Sequence, residues 1–356
     1  MILGALTRSP FRLNNPLISE DTKATLDALT AFGTEVGGDS SSLKIFCEEL
    51  RPALAVIDAR NSGTTARLIS GVAALLSTPT TITGDQSLVQ RPMGPLMDAL
   101  TQLGARCTYL GKPGFAPMTI RGPLTGPEAK ITGEVSSQFV SSLLIACTQK
   151  ASDTEIQVTG DIRSRPYIDI TIQMLGEFGG AAHETKNSFR VPGKQSLARE
   201  AYDVPGDFSS AAFPLVAAAI TGGDVVVRNL DLKSPQGDRA IIDILPRFGA
   251  TVTASGSQVR VSGGRLKGAE IDVRHNPDLF PILAVLGALA SGRTVLKGGE
   301  TLRQKESDRI ETTTRFLEAM GARILPRIDG CEIVGVERLK GTTVRTEGDH
   351  RILMAA

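Results

Sequence analysis

Lys305-Glu306-Ser307-Asp308-Arg309 sets two cations and two carboxylates within five residues. The spacing predicts a helix start with Lys305 and Arg309 projecting to one side, and with Ile310, Leu317 and Met320 as its buried stripe. Two cations at the positive end of a helix are unfavourable unless an anion sits between them. The turn is therefore a candidate anion site, with a solvated charged turn as the plain alternative. Asn276-Pro277-Asp278 leads an apolar segment, where Asp278 is either a first-turn carboxylate or a general base beside a substrate hydroxyl. Arg351, in Asp349-His350-Arg351, opens another apolar segment as a further anion ligand. Asn61-Ser62-Gly63-Thr64-Thr65-Ala66-Arg67 gives a small-residue helix start that an anion can approach, although ordinary N-capping accounts for the same residues. Gln90-Arg91-Pro92-Met93 places an arginine just before a Pro-initiated helix. Ser136-Ser137-Gln138 offers two hydroxyls and an amide suited to phosphate oxygens, and Ser164-Arg165-Pro166-Tyr167 adds a hydroxyl, a cation and a phenol. None of these strings is specific alone.

The elements that must position them recur. Polar leads run straight into apolar helices at intervals of about seventy residues. The helices are Arg67 to Ile69 onward, Phe139 to Cys147, Phe213 to Ile220, Leu279 to Ala290 and Ile352 to Met354. Met1 to Leu6 is a sixth apolar segment without its lead. Helices buried on all sides still need partners for their first N–H groups, and the Ser, Asp and Asn leads supply them. A second series is amphipathic and stops at glycine, at Gly33, Gly104, Gly179, Gly249 and Gly321. The expected unit is a buried helix, a strand, a surface helix and a further strand. Units of this length read as pseudo-symmetric subdomains rather than solenoid modules.

Bulk composition excludes several classes. The 356 residues suffice for two domains, with a boundary expected near the Pro- and Gly-bearing turn at residue 203, giving lobes 1–203 and 204–356. Formal charge is +1, tryptophan is absent and only three tyrosines occur, which argues against nucleic acid and anionic membranes as partners. Four dispersed cysteines and three dispersed histidines offer no metal-type spacing, so no metal is expected. Cys147, inside an apolar helix, reads as a buried inert thiol. The apolar runs are too short to span a bilayer, and a reducing cytoplasm is the default.

Taken together, seven of these strings resemble 5-enolpyruvylshikimate-3-phosphate synthases in order and approximate spacing: Asn61 to Arg67, Arg91-Pro92, Ser136 to Gln138, Ser164 to Tyr167, Asn276 to Asp278, Lys305 to Arg309 and Asp349 to Arg351. The resemblance implies an α/β fold, a two-domain inside-out barrel of repeated βαβαββ subdomains around parallel buried helices. It also implies transfer of the enolpyruvyl group of phosphoenolpyruvate to the 5-hydroxyl of shikimate 3-phosphate, on the shikimate route to aromatic amino acids, with no cofactor and as a monomer. Carried over by position, Ser136, Ser137, Gln138, Ser164, Tyr167, Asp278 and Lys305 would hold shikimate 3-phosphate. Gly63, Thr64, Arg91, Gln138, Arg309 and Arg351 would hold phosphoenolpyruvate. Asp278 would take the hydroxyl proton, and Lys305 with Glu306 would assist proton delivery to the methylene carbon.

The chain departs from the family pattern at both ends. A Lys-Ser-x-(Ser/Thr)-x-Arg motif would precede Met1, and a closing lysine would follow Ala356. The expectation is a fragment of reduced activity, or a non-catalytic ligand-binding descendant of the fold. The sister transferase acting on UDP-N-acetylglucosamine lacks support, because no cysteine stands in the Gly- and Arg-bearing loop that its chemistry needs. An RNA groove is disfavoured by charge and aromatic content.

Overall fold

Buried and surface helices alternate along the chain. The computed structural model describes residues 1–356. Its helices are α1 (Ile2–Leu6), α2 (Glu20–Ala31), α3 (Gly63–Ala73), α4 (Gly94–Gln102), α5 (Ser137–Thr148), α6 (Pro166–Glu177), α7 (Phe208–Thr221), α8 (Ile241–Phe248), α9 (Phe280–Leu289), α10 (Arg309–Ala319) and α11 (His350–Ala355). The odd-numbered helices are the apolar segments, but the expected burial fails in the last of them: α11 buries only Ile352 and Ala355 and leaves Leu353 and Met354 exposed, because no further element covers that side. In α5 every residue but Gln138 is buried, and in α9 every residue but Leu289. With no polar stripe to leave facing water, such segments pack inside.

Four of the five polar leads cap their helices. Ser62 accepts from the Thr65 amide at 3.1 Å, Ser136 from Gln138 at 3.3 Å, Asp207 from Ser209 at 3.0 Å and Asp349 from Arg351 at 2.9 Å. Asn276 differs. A 3-10 turn, Pro277–Leu279, precedes α9, and the Asn276 side chain makes no cap; its buried Oδ1 has no partner. Pro277 brings no N–H to that turn, so the usual first-turn donors are fewer. The even-numbered helices stop where glycine relieves the left-handed conformation, as at Gly33 (φ +90°) and Gly321 (φ +89°).

The chain divides into two compact units, Met1–Val204 and Pro205–Ala356. In the first unit, Ile57–Asp58 pairs in parallel with Thr80–Thr83, which pairs antiparallel with Met118–Arg121, and that strand with Arg106–Tyr109. The same pattern joins Glu128–Thr132, Thr154–Thr159, Ser188–Val191 and His183–Glu184. The remaining sheet of this unit takes its parallel strand from far along the sequence, because Ala201–Asp203 pairs with Phe11–Asn14 beside Ser42–Phe46 and Glu35–Gly38. The second unit repeats the design with Glu270–Asp272, Arg293–Lys297, Gly330–Val334 and Arg323–Arg327. It adds a three-stranded antiparallel sheet of Asp224–Arg228, Gln258–Ser262 and Thr251–Ser255.

Two contacts hold α3 and α5 close and parallel. A Cβ on Gly71 would lie 2.6 Å from Ser142 Oγ and 2.7 Å from the Ser142 carbonyl, so only glycine permits this approach. Ser142 in turn donates to the Arg67 carbonyl at 2.7 Å. Both helices therefore start at the same level. Cys47, Cys147 and Cys331 are buried and unpaired, and burial pushes the Cys147 thiol up to about 11. No helix is long and apolar enough to cross a membrane.

Candidate active site

Each unit carries one constellation of the residues singled out from the sequence. In the first unit it forms at the aligned starts of α3 and α5. Gln138 donates from Nε2 to Thr64 Oγ1 at 2.7 Å, and its Oε1 accepts from Arg67 Nη1 at 2.7 Å. The Arg67 guanidinium also lies over the Phe139 ring, 5.5 Å from its centroid. Arg91 is buried; its Nη2 donates to Asn61 Oδ1 at 2.6 Å and to Ser87 Oγ at 3.1 Å. Asn61 is fixed in turn by donating to Asp85 at 2.7 Å. Gly63 sits where the two guanidinium groups meet, since a Cβ there would lie 3.1 Å from Arg91 Nη1 and 3.2 Å from Arg67 Nη1. Two guanidinium groups converging on a capped helix N-terminus form a strongly positive spot suited to an anion.

Ser136 and Ser137 belong to the same place as the cap and first residue of α5. Ser164 and Tyr167 open the adjacent helix α6, tied to α5 by the 2.7 Å Ser141–Thr171 hydroxyl pair. Ser164 holds a left-handed conformation at φ +52°, just before Pro166 begins the helix. Arg165 points elsewhere. Its guanidinium makes a bidentate pair with Glu184 at 2.6 Å and a further bond to Asp169 at 2.8 Å.

The second constellation surrounds Arg309, whose side chain is only 2% exposed. Its Nη1 donates to Asp278 Oδ1 at 2.5 Å, its Nη2 to Glu306 at 2.7 Å and its Nε to Asp349 at 2.8 Å. Ser307 also donates to Asp349, at 3.1 Å. Arg351 Nη2 reaches the other Asp278 oxygen at 3.5 Å. Burial pushes the Asp278 carboxyl up, but Arg309, Arg351 and Lys305 together outweigh that and hold it well below the usual carboxylate range. Burial likewise opposes charge on Asp349, and Arg309 again reverses the balance. Burial disfavours the Arg309 charge too, yet the three carboxylates keep it protonated. Three cations and three carboxylates thus share one partly dry cluster.

The structure joins Gly63, Thr64, Arg91 and Gln138 in one unit, and Asp278, Glu306, Arg309 and Arg351 in the other. It corrects two readings of the sequence. Lys305 and Arg309 do not share a helical face: Lys305 ends the 3-10 turn Glu300–Gln304, and α10 begins only at Arg309, behind the Asp308 cap. The anion demanded by the clustered cations is supplied by the protein itself, as Asp278, Glu306 and Asp349. Arg91-Pro92 also does not start the next helix, because α4 begins at Gly94 and its first-turn proline is Pro95. Arg67, Asn61 and Asp349 have no separate role legible in the sequence, although each stands inside one of the candidate motifs; only the fold shows that their side chains orient the other members.

A family model described as EPSP synthase (3-phosphoshikimate 1-carboxyvinyltransferase) matches residues 1–356. The 3-phosphoshikimate 1-carboxyvinyltransferase of Methanocorpusculum labreanum is 43% identical over 358 residues, covering 100% of this chain and 84% of that protein. The enzyme of the same name from Methanothrix thermoacetophila is 46% identical over 347 residues, covering 96% and 82%. Among solved structures, an EPSP synthase from Acinetobacter baumannii superimposes with a TM-score of 0.81 at 30% identity, covering 99% of this chain and 84% of that one. With the family model spanning the chain and relatives of this identity along it, the chain belongs to the EPSP synthase family.

Proposed function

We propose that this chain moves the enolpyruvyl group of phosphoenolpyruvate onto the 5-hydroxyl of shikimate 3-phosphate and releases inorganic phosphate. The 5-oxygen bonds to the central carbon of phosphoenolpyruvate while the methylene carbon gains a proton. The resulting tetrahedral intermediate then loses phosphate and returns that proton. Both substrates are multiply anionic, so catalysis must offset their repulsion and move two protons.

The observation that carries this reading is Asp278 held between Arg309 and Arg351. Those cations keep it ionised, which is the state a base needs, but they also make it a weak base. An anionic substrate sharing the two guanidinium groups draws their charge away from Asp278 and raises its proton affinity. Base strength then develops when phosphoenolpyruvate is present to use it. Lys305 and Glu306 flank the same cluster and serve the methylene carbon. In the other unit, Gly63, Thr64, Arg67, Arg91 and Gln138 take phosphoenolpyruvate, and Ser136, Ser137, Gln138, Ser164 and Tyr167 take shikimate 3-phosphate. Gly63 leaves room for an anion against the backbone between two cations.

The same reading places the enzyme in the cytoplasm as a monomer acting on small molecules, and the formal charge of +1 supports the lack of a nucleic-acid or membrane partner. The test is phosphate release with shikimate 3-phosphate or UDP-N-acetylglucosamine as acceptor. Release only with the first is expected. Release only with the second, or with neither, overturns the proposal.

A further inference from the structure

One buried carboxyl group that feels the charges of Asp278 and Arg351 has no part in the reaction above. Asp238, in the 3-10 turn Gly237–Ala240, is 3% exposed. Ser209 donates a hydrogen bond to its Oδ2, and its buried Oδ1 has no partner. The turn is knitted to the start of α7, since Gln236 accepts from the Phe208 amide at 2.9 Å and donates to the Gly206 carbonyl at 3.1 Å. Arg351 supplies the matching deficiency, because its Nε and Nη1 are also buried without partners. Each residue thus holds buried polar atoms without a partner, and the Arg351 charge is felt at Asp238.

We propose that Asp238 is a positioning residue for the transfer reaction, a buried carboxyl that competes with anionic substrate for the Arg351 guanidinium. The proposal rests on the reading of Arg351 as a phosphoenolpyruvate ligand. The surroundings favour the uncharged acid. Burial, Asp278 ahead of α9 and Asp207 at the cap of α7 push Asp238 up to about 7, against Ser209 and Arg351. On α8, which follows directly, Asp243 and Arg247 are exposed. While Asp238 keeps its proton, Arg351 serves Asp278 and the substrate. Once ionised, Asp238 attracts Arg351 and repels the anion that Arg351 would bind.

The test is KM for phosphoenolpyruvate against pH in the parent enzyme, Asp238→Asn and Ser209→Ala. In the parent, KM rises by about tenfold between about pH 7 and about pH 8.5. Asp238→Asn removes the rise, because the amide does not ionise. Ser209→Ala moves the rise to higher pH, because the lost hydrogen bond favoured the charged form. The substrate's own titration is common to all three and cancels in the comparison. A role in packing alone would lower thermal stability and leave the pH profile unmoved. An unchanged rise in Asp238→Asn, or an unshifted one in Ser209→Ala, overturns the inference. If Asp238→Asn fails to fold, Ser209→Ala decides. A parent without turnover on shikimate 3-phosphate instead overturns the transferase reading, and this inference with it.

Discussion

The two constellations set their arginines against different acceptors. Around α3 and α5, Arg67 and Arg91 donate to the neutral oxygens of Gln138, Asn61 and Ser87. Around α10 and α11, Arg309 and Arg351 donate to the carboxylates of Asp278, Glu306 and Asp349. A neutral acceptor orients a guanidinium without cancelling its charge, so the first arrangement suits capture of an anion. A carboxylate acceptor cancels the charge and couples proton affinity to whatever shares the cation, so the second suits proton transfer. On the proposed reading, the choice of arginine partner lets the second unit couple anion binding at Arg309 and Arg351 to the proton affinity of Asp278.

This contrast is broken most severely at Asp278. Asp278→Asn is expected to lower turnover by about 10²- to 10⁴-fold with little change in either KM, measured as phosphate release. Unchanged turnover would remove Asp278 as the base and leave the second cluster a structural ion network. The next effect is on stability. Asp349 is wholly buried against Arg309, and Asp349→Asn leaves a buried cation short of a partner, at a cost of about 3–5 kcal/mol in denaturant unfolding. Its pH dependence has a defined sign. Asp278 and Asp349 are both depressed, so their contribution is present above the ordinary carboxylate pKa and lost as pH falls below it. The deficit of Asp349→Asn should therefore shrink on acidification, and a deficit independent of pH would count against the ion network. The smallest effect belongs to the first unit. Gly63→Ala needs both guanidinium groups to yield by a few tenths of an ångström. It should weaken phosphoenolpyruvate by roughly tenfold, about 1.4 kcal/mol, and spare shikimate 3-phosphate. Equal loss of both substrates would show that the two cations do not single out one ligand.

Much of this was legible because the repeat writes itself in local chemistry. An apolar helix without a polar stripe belongs inside, as α5 and α9 show, and glycine after an amphipathic helix marks a left-handed cap. Gly33 and Gly321 show the same signal almost three hundred residues apart. The arrangement around Arg309 was not legible, because its partners Asp278 and Asp349 lie 31 and 40 residues away on other elements. From the local string alone, Lys305 and Arg309 looked like neighbours on one face. The 3-10 turn Glu300–Gln304 breaks that face, and nothing in its residue types announces a helix of three residues per turn. Asn276 misled for a related reason: the residue type promised a cap, and the proline behind it changed the geometry. Asp238 carried only a faint sign, a polar Gln236-Gly237-Asp238 run between apolar Leu232 and Ile241.

The strand Ala201–Asp203, paired with Phe11–Asn14, also sets an order of events during synthesis. As the polypeptide emerges from the ribosome, the edge presented by Phe11–Asn14 waits for a partner encoded 189 positions later. Until then an unpaired β edge stands open to neighbouring nascent chains. The closing strand is the last one of its unit to be translated, so that the clasp on the first lobe cannot be fastened until everything else in it has been made.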